Sequence, residues 1–171
     1  MSERAKAIGT LAVWVALIAA VDQGIKGLVV ANLSQQSPIH LLGPFSLTYQ
    51  TNTGAAFSLL HDTHSVLILL LNALVLAFFL YLIRPYLNLR AGRLAAALVL
   101  GGAAGNLIDR VVRHHVVDYV NFYVSPQLHW PVFNLADTCI VIGVALLVLL
   151  VLRSERTRSD EPESDPEGIS A

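Results

Sequence analysis

The chain has 171 residues, 55% of them apolar, a mean hydropathy of +0.63 and a formal net charge of −1. This composition excludes an ordinary soluble domain, and we expect no nucleic-acid partner. Because the apolar residues fall in four long blocks, the sequence predicts one compact domain, over residues 1–153, that crosses a membrane several times.

Each block is near the roughly 20 residues that cross about 30 Å of hydrocarbon. The predicted spans cover about residues 8–30, 65–83, 94–112 and 135–152. A cleavable signal peptide is the alternative for the first block, but this block is long and carries Asp22 and Lys26. We therefore predict four spans, with both termini on the same side of the membrane.

Residues 31–64 are the one stretch with strand and turn character. Pro38, Gly43 and Pro44 punctuate it, and residues 45–49 roughly alternate apolar and polar side chains. This pattern indicates a small β element on the membrane surface, with residues 55–58 as a candidate second strand. In span three, Gly101 and Gly105 share one face, where small residues allow a neighbouring helix to approach closely.

Basic residues lie before the first span, between spans two and three, and after span four, and none occurs over residues 27–83. By the positive-inside rule, both termini and the 84–93 loop are cytoplasmic, whereas residues 31–64 and 114–133 face outward. Residues 154–171 are rich in acids, Ser and Pro, so we expect a disordered cytoplasmic tail without a catalytic role.

Three aspartates lie in or beside the spans, where carboxylates are unfavourable and are candidate functional groups. Asn106 and Asp109 are three residues apart, as are Asn134 and Asp137, so each amide shares a helix face with its carboxylate. Because consecutive antiparallel helices are usually neighbours, we expect Asp118 and Asp137 to meet at the outer ends of spans three and four.

Two carboxylates at one site do not both ionise readily, so such a pair supplies one base and one acid. The base can activate a water for attack on a peptide carbonyl, and the acid can polarise that carbonyl. This is the chemistry of an aspartic peptidase, and it requires neither a metal nor a cofactor. A zinc site is not predicted, because the chain has no His-Glu-x-x-His sequence.

The sequence resembles bacterial lipoprotein signal peptidase, also called signal peptidase II, over about residues 8–152. Five motifs occur in the order of that family: Asp22-Gln23-x-x-Lys26, Asn52-Thr53-Gly54-Ala55-Ala56-Phe57-Ser58, Gly101-Gly102-Ala103-x-Gly105-Asn106-x-x-Asp109-Arg110, Val117-Asp118-Tyr119 and Phe133-Asn134-x-Ala136-Asp137. One departure is Tyr119, which stands where the family often has Phe.

The resemblance implies an aspartic endopeptidase of the bacterial inner membrane, active at its outer face, and we expect it to be a monomer. Its substrates would be prolipoproteins with a diacylglyceryl-modified cysteine, cut on the N-terminal side of that cysteine, and membrane lipids would be its other partners. The implied fold is an all-α membrane protein with four transmembrane helices, a small extracytoplasmic β-cradle and a short mobile helical segment, the last two drawn from residues 31–64 and 114–133.

By the same resemblance, Asp118 and Asp137 match the catalytic dyad. The positions that match the surroundings of the active site are Asn52, Gly54, Asn106, Asp109, Arg110 and Asn134. Asp22 and Lys26, four residues apart, form either a structural ion pair or a contact with the lipid head group.

Two other classes of protein compete with this interpretation. A small proton-coupled transporter would also keep acids in its spans, but near the midplane and with broken helices, whereas these acids cluster at one face. In a non-enzymatic membrane scaffold, two separate aspartates would not have to be irreplaceable for function.

Overall fold

A computed structural model of the chain describes residues 2–53, 63–125 and 128–159. Within these ranges the fold is mostly helical, with a small antiparallel sheet. The long helices are α1 (Glu3–Leu33), α2 (Thr63–Ile83), α3 (Arg90–Arg113) and α4 (Leu135–Ser159), and a 3-10 turn over Arg84–Tyr86 follows α2. The strands are β1 (Ile39–His40), β2 (Phe45–Asn52), β3 (Val116–Ser125) and β4 (Leu128–Phe133).

In the described part of the chain, three helices are long and apolar enough to cross a membrane. Their apolar segments are Ala5–Leu33, Arg90–Arg113 and Leu135–Arg156, in agreement with the first, third and fourth predicted spans. Among the described residues, the apolar segment that includes the end of α2 is shorter and covers Ala73–Tyr86. Large apolar side chains on the outside of the bundle, such as Trp14, Leu74 and Val141, suit contact with lipid.

Helix α4 continues to Ser159, past the predicted end of span four at Leu152. Residues 154–159, which the composition assigns to a disordered tail, are therefore helical. The physical reason is that a helix already nucleated by its apolar span extends easily through good helix formers such as Glu155 and Arg156. Residues 160–171 lie outside the described residues.

Helix α3 packs between α1 and α4, and glycines at the contacts allow the helices to approach closely. A β-carbon at Gly101 would lie 2.7 Å from Ile18 of α1, and one at Gly105 would lie 2.5 Å from Oδ2 of Asp22. On the α4 side, a β-carbon at Gly143 would lie 2.6 Å from Val99 of α3. The prediction that small residues of span three admit a neighbouring helix is confirmed.

The four strands form one sheet in the order β1-β2-β3-β4, each antiparallel to the next. The strand predicted over residues 45–49 is confirmed within β2, and the candidate strand at 55–58 lies outside the described residues. Strands β3 and β4 occupy residues that the sequence analysis assigned to the cradle only through the resemblance. No helix occurs in residues 34–53, 116–125 or 128–133, so the expected short helical segment is absent from these ranges.

A bulge in β2 sets which of its side chains share a face with Asp118. Leu47 pairs with Val120, and the next pair after the register shift is Gln50 with Asp118. Between these two pairs, β2 advances three residues while β3 advances only two. The extra residue of β2 turns the side chains that follow it to the opposite face of the sheet. Asn52, two residues beyond Gln50, consequently lies on the same face as Asp118.

The two ends of the helix bundle have separate apolar cores. At one end, Phe79 and Ile83 of α2 pack on Ala95 and Val99 of α3. At the other end, the core joins α1 to β3 through Val29, Leu33, Val117 and Tyr119. Near the first end, the hydroxyl of Tyr86 lies 2.9 Å from that of Ser154, close to the end of α4. The sheet therefore covers the end of the bundle opposite the connection between α2 and α3.

Candidate active site

Asp118 lies within β3, is 2% exposed, and accepts a hydrogen bond on each carboxylate oxygen. Asn52 Nδ2 donates to Oδ2 at 2.9 Å, and Asn134 Nδ2 donates to Oδ1 at 2.7 Å. Asn52 reaches Asp118 diagonally across the two strands, a contact that the bulge in β2 makes available. Burial and two amide donors thus hold this carboxyl group in one orientation.

Asp137 is held in the first turn of α4 by Asn134, the residue that caps this helix. Oδ1 of Asn134 accepts from the backbone N–H of Asp137 at 2.9 Å, and the backbone N–H of Asn134 donates to Asp137 Oδ2 at 3.2 Å. This reciprocal pair is a capping box in which Asn and Asp occupy the two positions. The other carboxylate oxygen of Asp137 accepts from Asn106 Nδ2 at 2.8 Å.

Asn134 therefore contacts both aspartates that the sequence analysis singled out. Its side chain bonds Asp118, its backbone bonds Asp137, and its Nδ2 also lies 3.2 Å from Oδ1 of Asn106. Asn134 is completely buried, whereas Asp137 is partly exposed. The polar patches predicted on spans three and four meet here, and the carboxylate pair of Asp118 and Asp137 is open from the side of Asp137.

A second polar group, which we call the ion network, lies behind Asn106 and is centred on Lys26 of α1. Lys26 Nζ is 2.8 Å from Asp22 Oδ2 and 2.9 Å from Asp109 Oδ2, and it donates to Asn106 Oδ1 at 3.0 Å. The side chains of Lys26, Asp22 and Asp109 have no exposed surface. Because buried charges require partners, this arrangement requires all three residues together.

Arg113 and Gln23 complete the ion network around Asp109. Arg113 pairs with Asp109 one helical turn away and also donates to Gln23 Oε1 at 2.7 Å. Gln23 Nε2 donates to Asp109 Oδ1 at 3.1 Å, and the backbone N–H of Val117 donates to Asp109 Oδ2 at 3.1 Å. The contact with Val117 ties the ion network to the strand that carries Asp118.

Burial has a direct electrostatic consequence in β3. Loss of hydration raises the pKa of the Asp118 carboxyl group, and the nearby charge of Asp137 adds to the rise, against the hydrogen bonds from Asn52 and Asn134. Burial likewise raises the pKa of Tyr119 to about 12, so this hydroxyl stays protonated at neutral pH. Burial thus disfavours the charged form of Asp118, the more deeply buried of the two carboxyl groups.

The structure brings together most of the residues singled out in the sequence. Asn52, Asn106 and Asn134 surround the carboxylate pair, while Asp109 faces α1 and belongs to the ion network. Arg110 donates to the backbone oxygen of Asn106 at 3.3 Å, within its own helix. Gly54 lies outside the described residues.

Asp22 and Lys26 form the ion pair that was one of the two sequence interpretations. Arg113 was not among the predicted site residues, which instead included Arg110, the residue next to Asp109 in the sequence. The signal was present, since residues four apart on a helix face each other and Asp109 and Arg113 have that spacing. Gln23 was noted only as a member of a motif, and its contacts with Gly105 and Asp109 depend on how α1 packs against α3.

Within residues 2–53, 63–125 and 128–159, no group of three or more His, Cys, Asp or Glu side chains is arranged to hold a metal ion. Fold and site together define a helical membrane protein in which a surface sheet and the end of a helix bundle enclose a pair of aspartates.

Comparisons with known proteins identify the family within this class. The family model for signal peptidase (SPase) II matches residues 14–153. A lipoprotein signal peptidase of Haemophilus ducreyi is 38% identical over 161 residues, which is 91% of this chain and 99% of that protein. A lipoprotein signal peptidase of Brucella ovis is 44% identical over 145 residues, 81% of this chain and 89% of that protein.

Two solved structures of bacterial membrane enzymes share the fold. One, at 1.9 Å resolution, has a TM-score of 0.68 and 25% sequence identity, and the match covers 85% of this chain and 94% of the other. The second, at 2.3 Å resolution, has a TM-score of 0.69 and 26% identity, covering 92% and 96%. The chain belongs to the signal peptidase II family and is a membrane protease of the lipoprotein signal peptidase type.

Proposed function

We propose that this chain removes the signal peptide from diacylglyceryl-modified prolipoproteins by cutting on the N-terminal side of the lipidated cysteine. We further propose that Asp118 and Asp137 activate the water for this cut. The observation that carries the proposal is that Asn134 bonds Asp118 through its side chain and Asp137 through its backbone. The substrate class follows from the family, since the similar proteins of Haemophilus ducreyi and Brucella ovis are lipoprotein signal peptidases.

In the resting site, the pair shares one proton, which we assign to buried Asp118. Both carboxyl groups accept two N–H donors, but only Asp137 lies in the first turn of α4, where the helix dipole favours a negative charge. Asp137 therefore serves as the base, and its partial exposure allows a water to reach it.

The reaction would proceed in two stages. Asp137 takes a proton from the water as the water oxygen bonds to the peptide carbonyl carbon, while Asp118 donates its proton to the carbonyl oxygen. In the second stage, Asp137 returns a proton to the amide nitrogen, the carbon–nitrogen bond breaks, and Asp118 recovers its proton as the carbonyl reforms. Asn52, Asn106 and Asn134 hold the two carboxyl groups in place through both stages.

The remaining motif residues support this site in the proposal. Arg110 is partly exposed, and its guanidinium offers donors for carbonyl groups of the substrate backbone. Gly54 is assigned to substrate binding through its motif. Asp22, Lys26 and Asp109 stabilise the helix contacts behind Asn106.

For the membrane arrangement, we infer four spans including α2, with both termini in the cytoplasm and the carboxylate pair at the outer face of the bacterial inner membrane. The connection between α2 and α3 and the end of α4 lie together, with Tyr86 bonding Ser154, and both places are rich in arginine. The sheet lies at the opposite end and would form the cradle. We propose that the protein works as a monomer in contact with membrane lipids.

The decisive experiment is cleavage of a purified diacylglyceryl prolipoprotein in detergent, followed by gel shift. Asp118→Asn and Asp137→Asn should each abolish cleavage while leaving thermal unfolding cooperative, because each removes one partner of the proton exchange. Asp160→Asn in the acidic tail is the matched control and should cleave like the parent chain. Full activity in either site variant would refute the aspartate mechanism.

The same experiment addresses the two other classes of protein. A scaffold or a proton-coupled transporter would not cleave the prolipoprotein at all, even as the parent chain. A prolipoprotein without the diacylglyceryl group should be cleaved much more slowly, because the lipid anchor holds the scissile bond at the membrane surface. Equal cleavage of both forms would contradict the substrate assignment.

A further inference from the structure

The residue after Asp118 in strand β3 contacts the helix that carries Asp137. The hydroxyl of Tyr119 accepts a hydrogen bond from the backbone N–H of Leu135 at 3.1 Å. Tyr119 is 6% exposed and lies in the core that joins β3 to Val29 of α1. The hydroxyl is therefore held by the packing of its ring.

Leu135 is the first residue of α4, so its N–H has no acceptor inside the helix. The second amide of the helix, that of Ala136, donates to Asp22 of α1 at 3.0 Å. The third amide, that of Asp137, donates to the capping side chain of Asn134 at 2.9 Å. Three successive amides are thus fixed by β3, by α1 and by the helix cap.

We propose that Tyr119 is a positioning residue for the peptidase reaction in this chain, because its hydroxyl fastens the first turn of α4 to β3 and so holds Asp118 and Asp137 at a fixed separation. Phe, which the family often has at this position, has no acceptor for the Leu135 amide, so the role is particular to this chain. This inference rests on the proposed function, since the separation matters only if the two carboxyl groups share a proton. The linkage is short, with Asp118 adjacent to Tyr119 and Asp137 two residues after Leu135. The Tyr119 hydroxyl also keeps its proton through the pH range of an assay.

The variant Tyr119→Phe keeps the ring and removes only the hydroxyl. We expect kcat for prolipoprotein cleavage to fall about 3-fold with little change in KM, because the binding surface is untouched while the reacting groups are held less firmly. The basic limb of the pH–rate profile should also move to lower pH. Carboxyl groups that lie farther apart repel each other less, so the second proton leaves at lower pH.

Tyr123→Phe is the matched control, because Tyr123 lies on the same strand and is 47% exposed. It should keep the kinetics and pH profile of the parent. Hydrogen exchange of the peptide that contains Leu135 is the second measurement and does not require activity. Exchange there should be faster in Tyr119→Phe than in Tyr123→Phe.

The outcomes separate the two proposals. If the parent chain cleaves no prolipoprotein, the proposed function fails and the assignment of Tyr119 to this reaction fails with it, whatever the exchange result. If the parent cleaves and Tyr119→Phe has the same kcat, pH profile and exchange, the inference alone is overturned. Faster exchange or lower thermal stability with an unchanged pH profile would show a purely structural role, and this would also overturn it.

Discussion

Lys26 Nζ lies 3.0 Å from Oδ1 of Asn106, so the ion network inside the helices contacts the group that holds the carboxylate pair. Lys26 donates to the carbonyl oxygen of the Asn106 side chain. The NH2 group of that side chain therefore faces Asp137 and donates to its carboxylate at 2.8 Å. A lysine without exposed surface thereby orients an asparagine at the candidate active site.

Replacing Lys26 by Met should destabilise the protein strongly. The change leaves the buried carboxylates of Asp22 and Asp109 without the ammonium group that they share. Breaking a buried ion pair by removing one partner costs about 3–5 kcal/mol. Thermal unfolding in detergent, compared with the parent chain, measures the effect.

The control is the double variant Lys26→Met with Asp22→Asn. It removes the carboxylate of Asp22, which Lys26→Met leaves without a cation, while Asp109 keeps Arg113. The double variant should be more stable than Lys26→Met alone. Its loss of stability should therefore be smaller than the sum of the losses in the single variants Lys26→Met and Asp22→Asn. Simple additivity of the two single losses would contradict the shared ion network.

Two replacements of Asn134 should separate its roles as helix cap and as donor to Asp118. Asn134→Ser keeps a side-chain oxygen for the amide of Asp137 but loses the amide that donates to Asp118. Its stability should fall by about 1–3 kcal/mol, because a buried oxygen of Asp118 loses its donor, and cleavage should fall at least about 10-fold. Asn134→Ala loses both contacts and should unfold about 1 kcal/mol more easily than Asn134→Ser. Equal stability of the two variants would show that the cap contributes little.

Gly105→Ala should weaken the packing of α3 on α1. The added β-carbon would lie 2.5 Å from Asp22 Oδ2 and 3.4 Å from the β-carbon of Ala136. Overpacking of this kind typically costs about 1–3 kcal/mol. Gly24→Ala on α1 is the control, since its added β-carbon would have no packing neighbour within 4 Å beyond the local backbone of its own helix. Thermal unfolding should show a loss for Gly105→Ala and none for Gly24→Ala.

The stability of the protein should depend on pH through Asp118. Burial raises the pKa of its carboxyl group above the ordinary 3.8, so the folded chain binds this proton more tightly than the unfolded chain does. The resulting contribution to the free energy of unfolding is complete below the ordinary pKa and is lost as pH rises through the pKa of folded Asp118.

Asp118→Asn cannot lose that proton, so it should gain stability relative to the parent as pH rises from acid to neutral. Thermal unfolding of both proteins across that range, with Asp160→Asn as the control, measures the difference. A constant difference between Asp118→Asn and the parent at all pH values would show that Asp118 does not titrate with a raised pKa.

Relationships that depend only on spacing along one helix could be predicted from the sequence. Asp22 and Lys26, four apart, form an ion pair, and Gly101 and Gly105 make room for α1. The same rule applied to Asp109 would have predicted its pairing with Arg113. Helical geometry fixes such relationships without knowledge of the rest of the fold.

Relationships between elements were not predictable in the same way. The bulge in β2 gives Asn52 its position beside Asp118, and a one-residue change in register would place a different side chain there. The contact between Tyr119 and Leu135 needs both the pairing of β3 and the approach of α4. No sequence pattern at Tyr119 or Leu135 predicts this contact.

The sequence by itself determined the apolar helices, the polar residues that share a helix face, and the family through the order of five motifs. Hydropathy and helical periodicity are properties of short segments, so they can be evaluated without the fold. Only the tertiary structure decided that Asn134 contacts both aspartates, that Lys26 orients Asn106, and that Asp22 bonds an amide 114 residues away. These contacts depend on strand register and on helix packing, which arise only when distant segments fold together.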